Sequence, residues 1–282
     1  MDNLFLSPAQ ISKAISDIGE KKSAETIFEL FIFGVLAGIY IAFGGAVATA
    51  VLSGGTLDAG LARFLAGSVF SLGLMLVLIP GSELFTGNIL MTIGLIYRKY
   101  SFLKVLRNWL VVYCGNLLGA IVIAWLMSHS GLLGNLNNLT PTGVVAVKIA
   151  DTKLALSFNE ALCRGILCNM LVCLAVIMCI ASKTVEGKIL GIYFPIMAFV
   201  ASGFEHSVAN MYFLPVGLMA TGEFASGFLR VFRNLIPVTI GNVIGGLLIV
   251  LLHPKTGERI ARLIFKRLLR MEFTATDASK TS

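Results

Sequence analysis

Two apolar stretches of this chain are too long for one membrane crossing, and each is interrupted near its middle by glycine and an acid. Residues 62–97 would extend about 54 Å as a single helix at 1.5 Å per residue, against roughly 30 Å of hydrocarbon. That stretch contains Pro80-Gly81-Ser82-Glu83, and the second, 187–220, contains Ser202-Gly203-Phe204-Glu205-His206. A helix break at membrane depth survives only where protein or a cavity satisfies the freed backbone groups. We therefore expect two discontinuous helices. Four further apolar regions, about 28–52, 104–128, 155–182 and 231–252, are each long enough for one crossing. The chain is predicted to be an all-α membrane protein with six transmembrane helices, the second and fifth broken.

Composition agrees. Only 13% of the 282 residues are charged and 57% are hydrophobic, whereas soluble domains carry about 25% charge. This excludes disordered, collagen-like and coiled-coil classes and argues against a soluble enzyme. The net charge of +7 is no nucleic-acid signal, because the basic residues flank apolar runs and form no patch. Cys114, Cys163, Cys168, Cys173 and Cys179 all lie inside apolar runs, where thiols behave as small hydrophobes. No disulfide framework, metal site or cofactor follows. The segment 1–25 contains no apolar signal-peptide core. The expected organisation is an amphipathic N-terminal segment over 1–25, a six-helix transmembrane domain over 26–253 and a basic tail over 254–282. Within these, 8–22 is expected to be a short helix capped by Ser7 with Pro8 at its first position. The stretch 255–273 is expected to form a basic amphipathic helix on the membrane surface.

Lys and Arg side chains outside the spans divide sixteen to five between the two sides if both termini share one side. By the positive-inside rule that side is the cytoplasm, and the inner (cytoplasmic) membrane is the expected location.

The two halves of the chain match each other. Arg107-Asn108, Gly115-Asn116 and Gly119 align with Arg233-Asn234, Gly241-Asn242 and Gly245. Gly81, Glu83 and Asn88 align with Gly203, Glu205 and Asn210, and Glu29 and Gly34 with Glu160 and Gly165. These three groups of matches keep the same order along three spans. Each half holds an odd number of spans, so the halves insert in opposite orientations. This is the inverted repeat of channels and transporters, whose site lies at the repeat interface. The glycines spaced four apart (Gly34/Gly38, Gly115/Gly119, Gly241/Gly245) are expected to let helices approach closely. Asn116 and Asn242 are expected to bond across helices.

Ionisable groups inside spans are costly, so each marks a pair or a pathway. Glu160 and Arg164 lie four apart on one helix face and are expected to pair. Glu83 and Glu205 follow the two breaks, where they are expected to accept hydrogen bonds from free amides at the half-helix N-termini. His206 breaks the repeat symmetry, since its counterpart is Leu84, and is the leading candidate for function.

The string from Phe199 through His206 to Asn210 resembles the signature of the formate–nitrite transporter family. So do Glu83-Leu-Phe-Thr86, Arg164 to Asn169, and Asn234 to Asn242. The resemblance covers all six spans, roughly 8–252. It implies an aquaporin-like bundle, assembled as a homopentamer in the lipid bilayer with one pore per protomer and no cofactor. The central pore histidine matches His206, and its hydrogen-bonding neighbours match Thr86 and Asn169. The vestibule lysine matches Lys153 and its carboxylate partner Glu205. An outer apolar constriction matches Phe70, Leu74 and Phe199, and an inner one includes Leu84. The first break, Ser82 to Gly87, lies closer to the nitrite and hydrosulfide branches, while the second half resembles the formate channels.

The implied function is a channel or transporter for a small monovalent anion, formate first, with nitrite or hydrosulfide as the alternative. A bare anion crosses dry apolar rings only at high energy. Lys153 and the two half-helix N-termini would attract it. His206 would then either pass it a proton or stay neutral while the ion itself passes. A membrane enzyme would need a nucleophile–base pair, metal ligands or a cofactor motif. A receptor would predict a large soluble domain. The residues offer neither.

Overall fold

A computed structural model describes residues 4–55 and 57–263. Helix α1 (Pro8–Ala24) begins as expected: Ser7 accepts from the Gln10 amide, the Gln10 side chain returns to the Ser7 amide, and Pro8 occupies the first position. Helix α2 (Ile27–Leu52) starts with the same reciprocal cap between Thr26 and Glu29. Helix α3 (Ala59–Leu78) follows, then the first break. The chain resumes as α4 (Phe85–Asn88), a 3-10 turn (Ile89–Met91) and α5 (Thr92–Ile96). Helix α6 (Phe102–His129) closes the first half. A short hairpin, β1 (Gly134–Asn135) with β2 (Asn138–Leu139), leads to α7 (Pro141–Leu154). Helix α8 (Phe158–Ala181) is capped by Ser157 and Glu160. Helices α9 (Val185–Ala201) and α10 (Ser207–Ala220) flank the second break, and α11 (Phe224–Leu252) completes the bundle.

Among the described residues, five helices are long and apolar enough to cross a membrane: α2, α3, α6, α8 and α11. The apolar region 187–220 is instead two shorter helices, α9 and α10, and 62–97 ends in the short apolar stretch Phe85–Ile96. The stretch 254–263 is helical; the rest of the surface helix expected over 255–273 lies outside the described residues.

The repeat holds at the level of single hydrogen bonds. At the breaks the Ser82 amide bonds the Val77 carbonyl at 3.0 Å and the Phe204 amide the Phe199 carbonyl at 3.0 Å. The Glu83 amide bonds the Phe33 carbonyl and the Glu205 amide the Arg164 carbonyl, both at 3.2 Å. Gly81 and Gly203 take φ of 95° and 72° there, a conformation that favours glycine. Helix α2 packs along α6 as α8 packs along α11, and α3 meets α9 across the halves. The small-residue spacing makes this possible. A Cβ on Gly38 would run into the Asn116 carbonyl oxygen, and one on Gly245 into that of Ile166.

The capping boxes correct one expectation. Glu160 accepts from the Ser157 amide at 2.9 Å and from the Ser157 hydroxyl at 2.7 Å, and it forms no ion pair with Arg164. The first turn of a helix leaves amides unsatisfied, so a carboxylate at the third position closes on its cap sooner than on a side chain one turn ahead. Helix α1 is no loose appendage. Its Ile11 and Ile15 are buried in a cluster with Leu90, Ile93, Val176 and Val250.

Candidate functional site

The N-termini of the two half-helices meet. His206 is the N-cap of α10, and its Nε2 lies 2.8 Å from Oγ1 of Thr86 in the first turn of α4. Its Nδ1 accepts the Ala209 amide at 3.1 Å. An amide N–H can only donate, so the single proton of a neutral ring sits on Nε2 and points at Thr86. The ring is 3% exposed and stacks on Phe199, with centroids 5.8 Å apart. The matching N-cap position of α4 holds Leu84, which has no side-chain capping group.

Asn169 departs from expectation. It is buried, but it forms no hydrogen bond with the imidazole. Its amide donates to the Thr86 carbonyl at 3.2 Å and the Asn242 carbonyl at 2.7 Å, and its Oδ1 is buried without a partner. Both donor positions are taken by main-chain carbonyls at the α4 and α11 crossing, so Asn169 fixes Thr86 from behind.

The glutamates also differ. The amides at the half-helix N-termini are served by Asn116 and Asn242, which accept from the Phe85 and Ser207 amides at 3.0 and 2.8 Å. Each asparagine also donates to two carbonyls, Gly34 and Glu83 for the first, Gly165 and Glu205 for the second. This is the cross-helix role expected of them, and it leaves the carboxylates free to face the other way. Glu205 pairs with Lys153 at 2.8 Å and accepts from Asn210 at 2.6 Å. Glu83 pairs with Lys22 at 2.8 Å and accepts from Asn88 at 2.7 Å. Asn108 and Asn234 hold Asn88 and Asn210 at 2.8 and 2.7 Å. A buried carboxylate persists only when paired and fully hydrogen-bonded, and both sites meet that demand with the same residue types.

Lys22 is the residue that sequence reasoning missed. The signal was present: the alignment that sets Glu29 against Glu160 also sets Lys22 against Lys153. Helix α1 is the repeat counterpart of α7.

Each pair opens on a cavity. Lys153, Glu205 and His206 line one of about 150 Å³, together with Phe70, Phe199 and Phe213. There Phe70 meets Phe199 edge to face at 5.7 Å, and Lys153 lies over the Phe213 ring at 5.5 Å. Leu74 is buried one turn deeper on α3 and does not line this cavity. Lys22 and Glu83 line a second, of about 540 Å³, with Lys21, Glu25 and Lys188. Leu84 borders a small space of about 50 Å³ beside Lys22. Among the described residues, no group of three or more His, Cys, Asp or Glu is placed to hold a metal ion.

Two broken helices meeting tip to tip inside an inverted repeat, with a lysine–glutamate pair facing each of two cavities, define a multi-pass membrane transport protein. The formate/nitrite transporter family model matches residues 9–254. The chain belongs to that family. It is 42% identical over 269 residues to a probable formate transporter of Methanothermobacter thermautotrophicus, covering 89% of this chain and 96% of that protein. It is 36% identical to the formate channel FocA of Escherichia coli (strain K12), covering 88% and 94%. A solved pentameric formate channel with formate bound superposes with a TM-score of 0.69 at 33% identity, over 79% of this chain and 94% of that one.

Proposed function

We propose that this protein is a homopentameric channel of the inner (cytoplasmic) membrane for small monovalent anions, formate first, with both termini in the cytoplasm. The orientation rests on the sixteen-to-five division of basic residues. The observation that carries the function is the His206–Thr86 contact between two half-helix N-termini, with Lys153 in the cavity on one side and Lys22 in the cavity on the other. The lysines raise the local concentration of an anion. Phe70 and Phe199, with Leu74 behind them, form the constriction on the Lys153 side, and Leu84 that on the Lys22 side. At the centre Thr86, held from behind by Asn169, keeps its own hydroxyl proton to donate to the anion while it accepts from His206.

Proton coupling through His206 would require a doubly protonated ring. Nδ1 must then release the Ala209 amide, because two N–H groups cannot bond each other. The intact cap favours the second reading, in which His206 stays neutral and the pore supplies hydrogen bonds alone. The test is flux into proteoliposomes with formate, nitrite and hydrosulfide in competition. A protein that passes none of the three is not this channel. One that prefers nitrite or hydrosulfide keeps the family and changes the substrate.

A further inference from the structure

The Lys22 cavity contains one acid that the repeat does not explain. Glu25 lies in the short connection between α1 and α2 and lines the cavity with Lys21, Lys22, Glu83 and Lys188. The alignment that sets Lys22 against Lys153 places Leu156 at the corresponding position of the other half, and the Lys153 cavity has Glu205 as its single acid. One carboxylate oxygen of Glu25 is buried with no hydrogen-bond partner. The cation nearest its backbone does not help, because Arg107 of α6 donates to the Glu25 and Ser23 carbonyls at 2.9 and 3.0 Å. Lys22 is already committed to Glu83 and to Oδ1 of Asn88 at 2.7 Å.

Glu25 therefore feels an unusual balance. Burial raises its pKa above the ordinary carboxylate value, the Glu83 charge raises it further, and Lys22 and Lys21 only partly offset this, with Glu29 of α2 adding repulsion. A raised pKa means that the proton is gained early as pH falls, before ordinary surface carboxylates gain theirs. The cavity then changes from three lysines against two acids to three against one.

Resting on the reading of this chain as an anion channel, we propose that Glu25 is a built-in competitor for the transported anion at the Lys22 mouth. Ionised, it occupies the positive field of Lys21 and Lys22; protonated, it yields that field to a small anion. Glu25 thus makes the Lys22 mouth a pH-sensitive end of the pathway. No covalent step is involved, only a proton exchanged with solvent.

The test compares wild type with Glu25→Gln in proteoliposomes, using formate and expressing KM in formate anion concentration at each pH. At neutral pH, KM is expected to be roughly fivefold lower in the variant, the worth of one nearby charge partly screened by water. The difference should vanish on acidification as the wild type reaches the variant's value, and Glu25→Asp should keep a pH-dependent KM. Equal KM values at every pH overturn the inference and leave the channel reading intact. A wild-type KM that does not change with pH overturns it even if the glutamine variant fails to assemble. If the wild type passes no formate, the channel reading itself falls, and this inference with it.

Discussion

Lys22 and Lys153 are repeat partners at opposite ends of the molecule, and each holds the glutamate that follows the break of its own half at 2.8 Å. One lysine comes from the N-terminal helix and the other from a helix in the middle of the chain. At these pairs the halves differ in the asparagine that follows each glutamate. Asn88 Oδ1 takes the Lys22 ammonium, whereas Asn210 Oδ1 is buried without a partner.

These pairs predict a separation of assembly from transport. Lys153→Met leaves Glu205 buried and unpaired, which costs about 3–5 kcal/mol, and lowers both thermal stability in detergent and anion flux. Adding Glu205→Gln removes the stranded charge. The double variant should recover stability while flux stays low, as read by a melting curve beside a liposome flux assay. Recovery of flux with stability would show that the lysine serves the fold alone.

Phe199 sits where the Lys153 cavity meets the imidazole and packs against Phe70. Phe199→Ala should raise acetate flux relative to formate and lower stability by about 3–5 kcal/mol, the usual range for a truncated buried phenylalanine. Leu74→Ala, one turn deeper and outside the cavity lining, should destabilise by about 2–5 kcal/mol with a smaller change in the acetate-to-formate ratio. An unchanged ratio in both variants removes these side chains from the constriction.

His206→Asn is a clean probe because asparagine is a good N-cap. Its Oδ1 can take over the Ala209 amide, so α10 should lose less than about 1 kcal/mol. If the ring relays protons, formate uptake in the variant loses its rise on acidification. If the ring only donates a hydrogen bond to Thr86, the wild-type pH profile persists. Flux against external pH, with pentamer integrity checked by size, distinguishes the two.

Ser12 of α1 bonds Nδ1 of His253, just beyond α11, at 3.1 Å. Burial holds the His253 pKa below its ordinary value, so the docked state prefers the neutral ring. The sign follows: this contribution to α1 docking is fully present above the ordinary histidine range and is lost as pH falls below it. Amide exchange in α1, taken relative to the intrinsic rate at each pH, should therefore rise on acidification. Ser12→Ala should remove about 1 kcal/mol of docking at neutral pH and flatten that rise.

The broken helices, the inverted repeat and the candidate central histidine were all legible in the order of residues. Apolar run length, glycine at a break and the cost of a buried charge are local properties, and they need no knowledge of neighbours. The roles of Asn116 and Asn242 were legible too, since a repeated Gly-x-x-x-Gly seam already implies where polar side chains must cross. Partner choice was another matter. That Glu83 turns to Lys22 rather than to a helix N-terminus depends on α1, two helices earlier in the chain, folding back against the first break. That Asn169 faces carbonyls instead of the ring depends on where α8 crosses α11. The tautomer of His206 is set by the nearby Ala209 amide, but its proton has a partner only because two half-helices from different halves meet end to end. Periodicity and charge decide which residues must be buried; which of the available donors each buried group receives is decided by packing, because hydrogen bonds act over about 3 Å and only the tertiary structure brings distant residues that close.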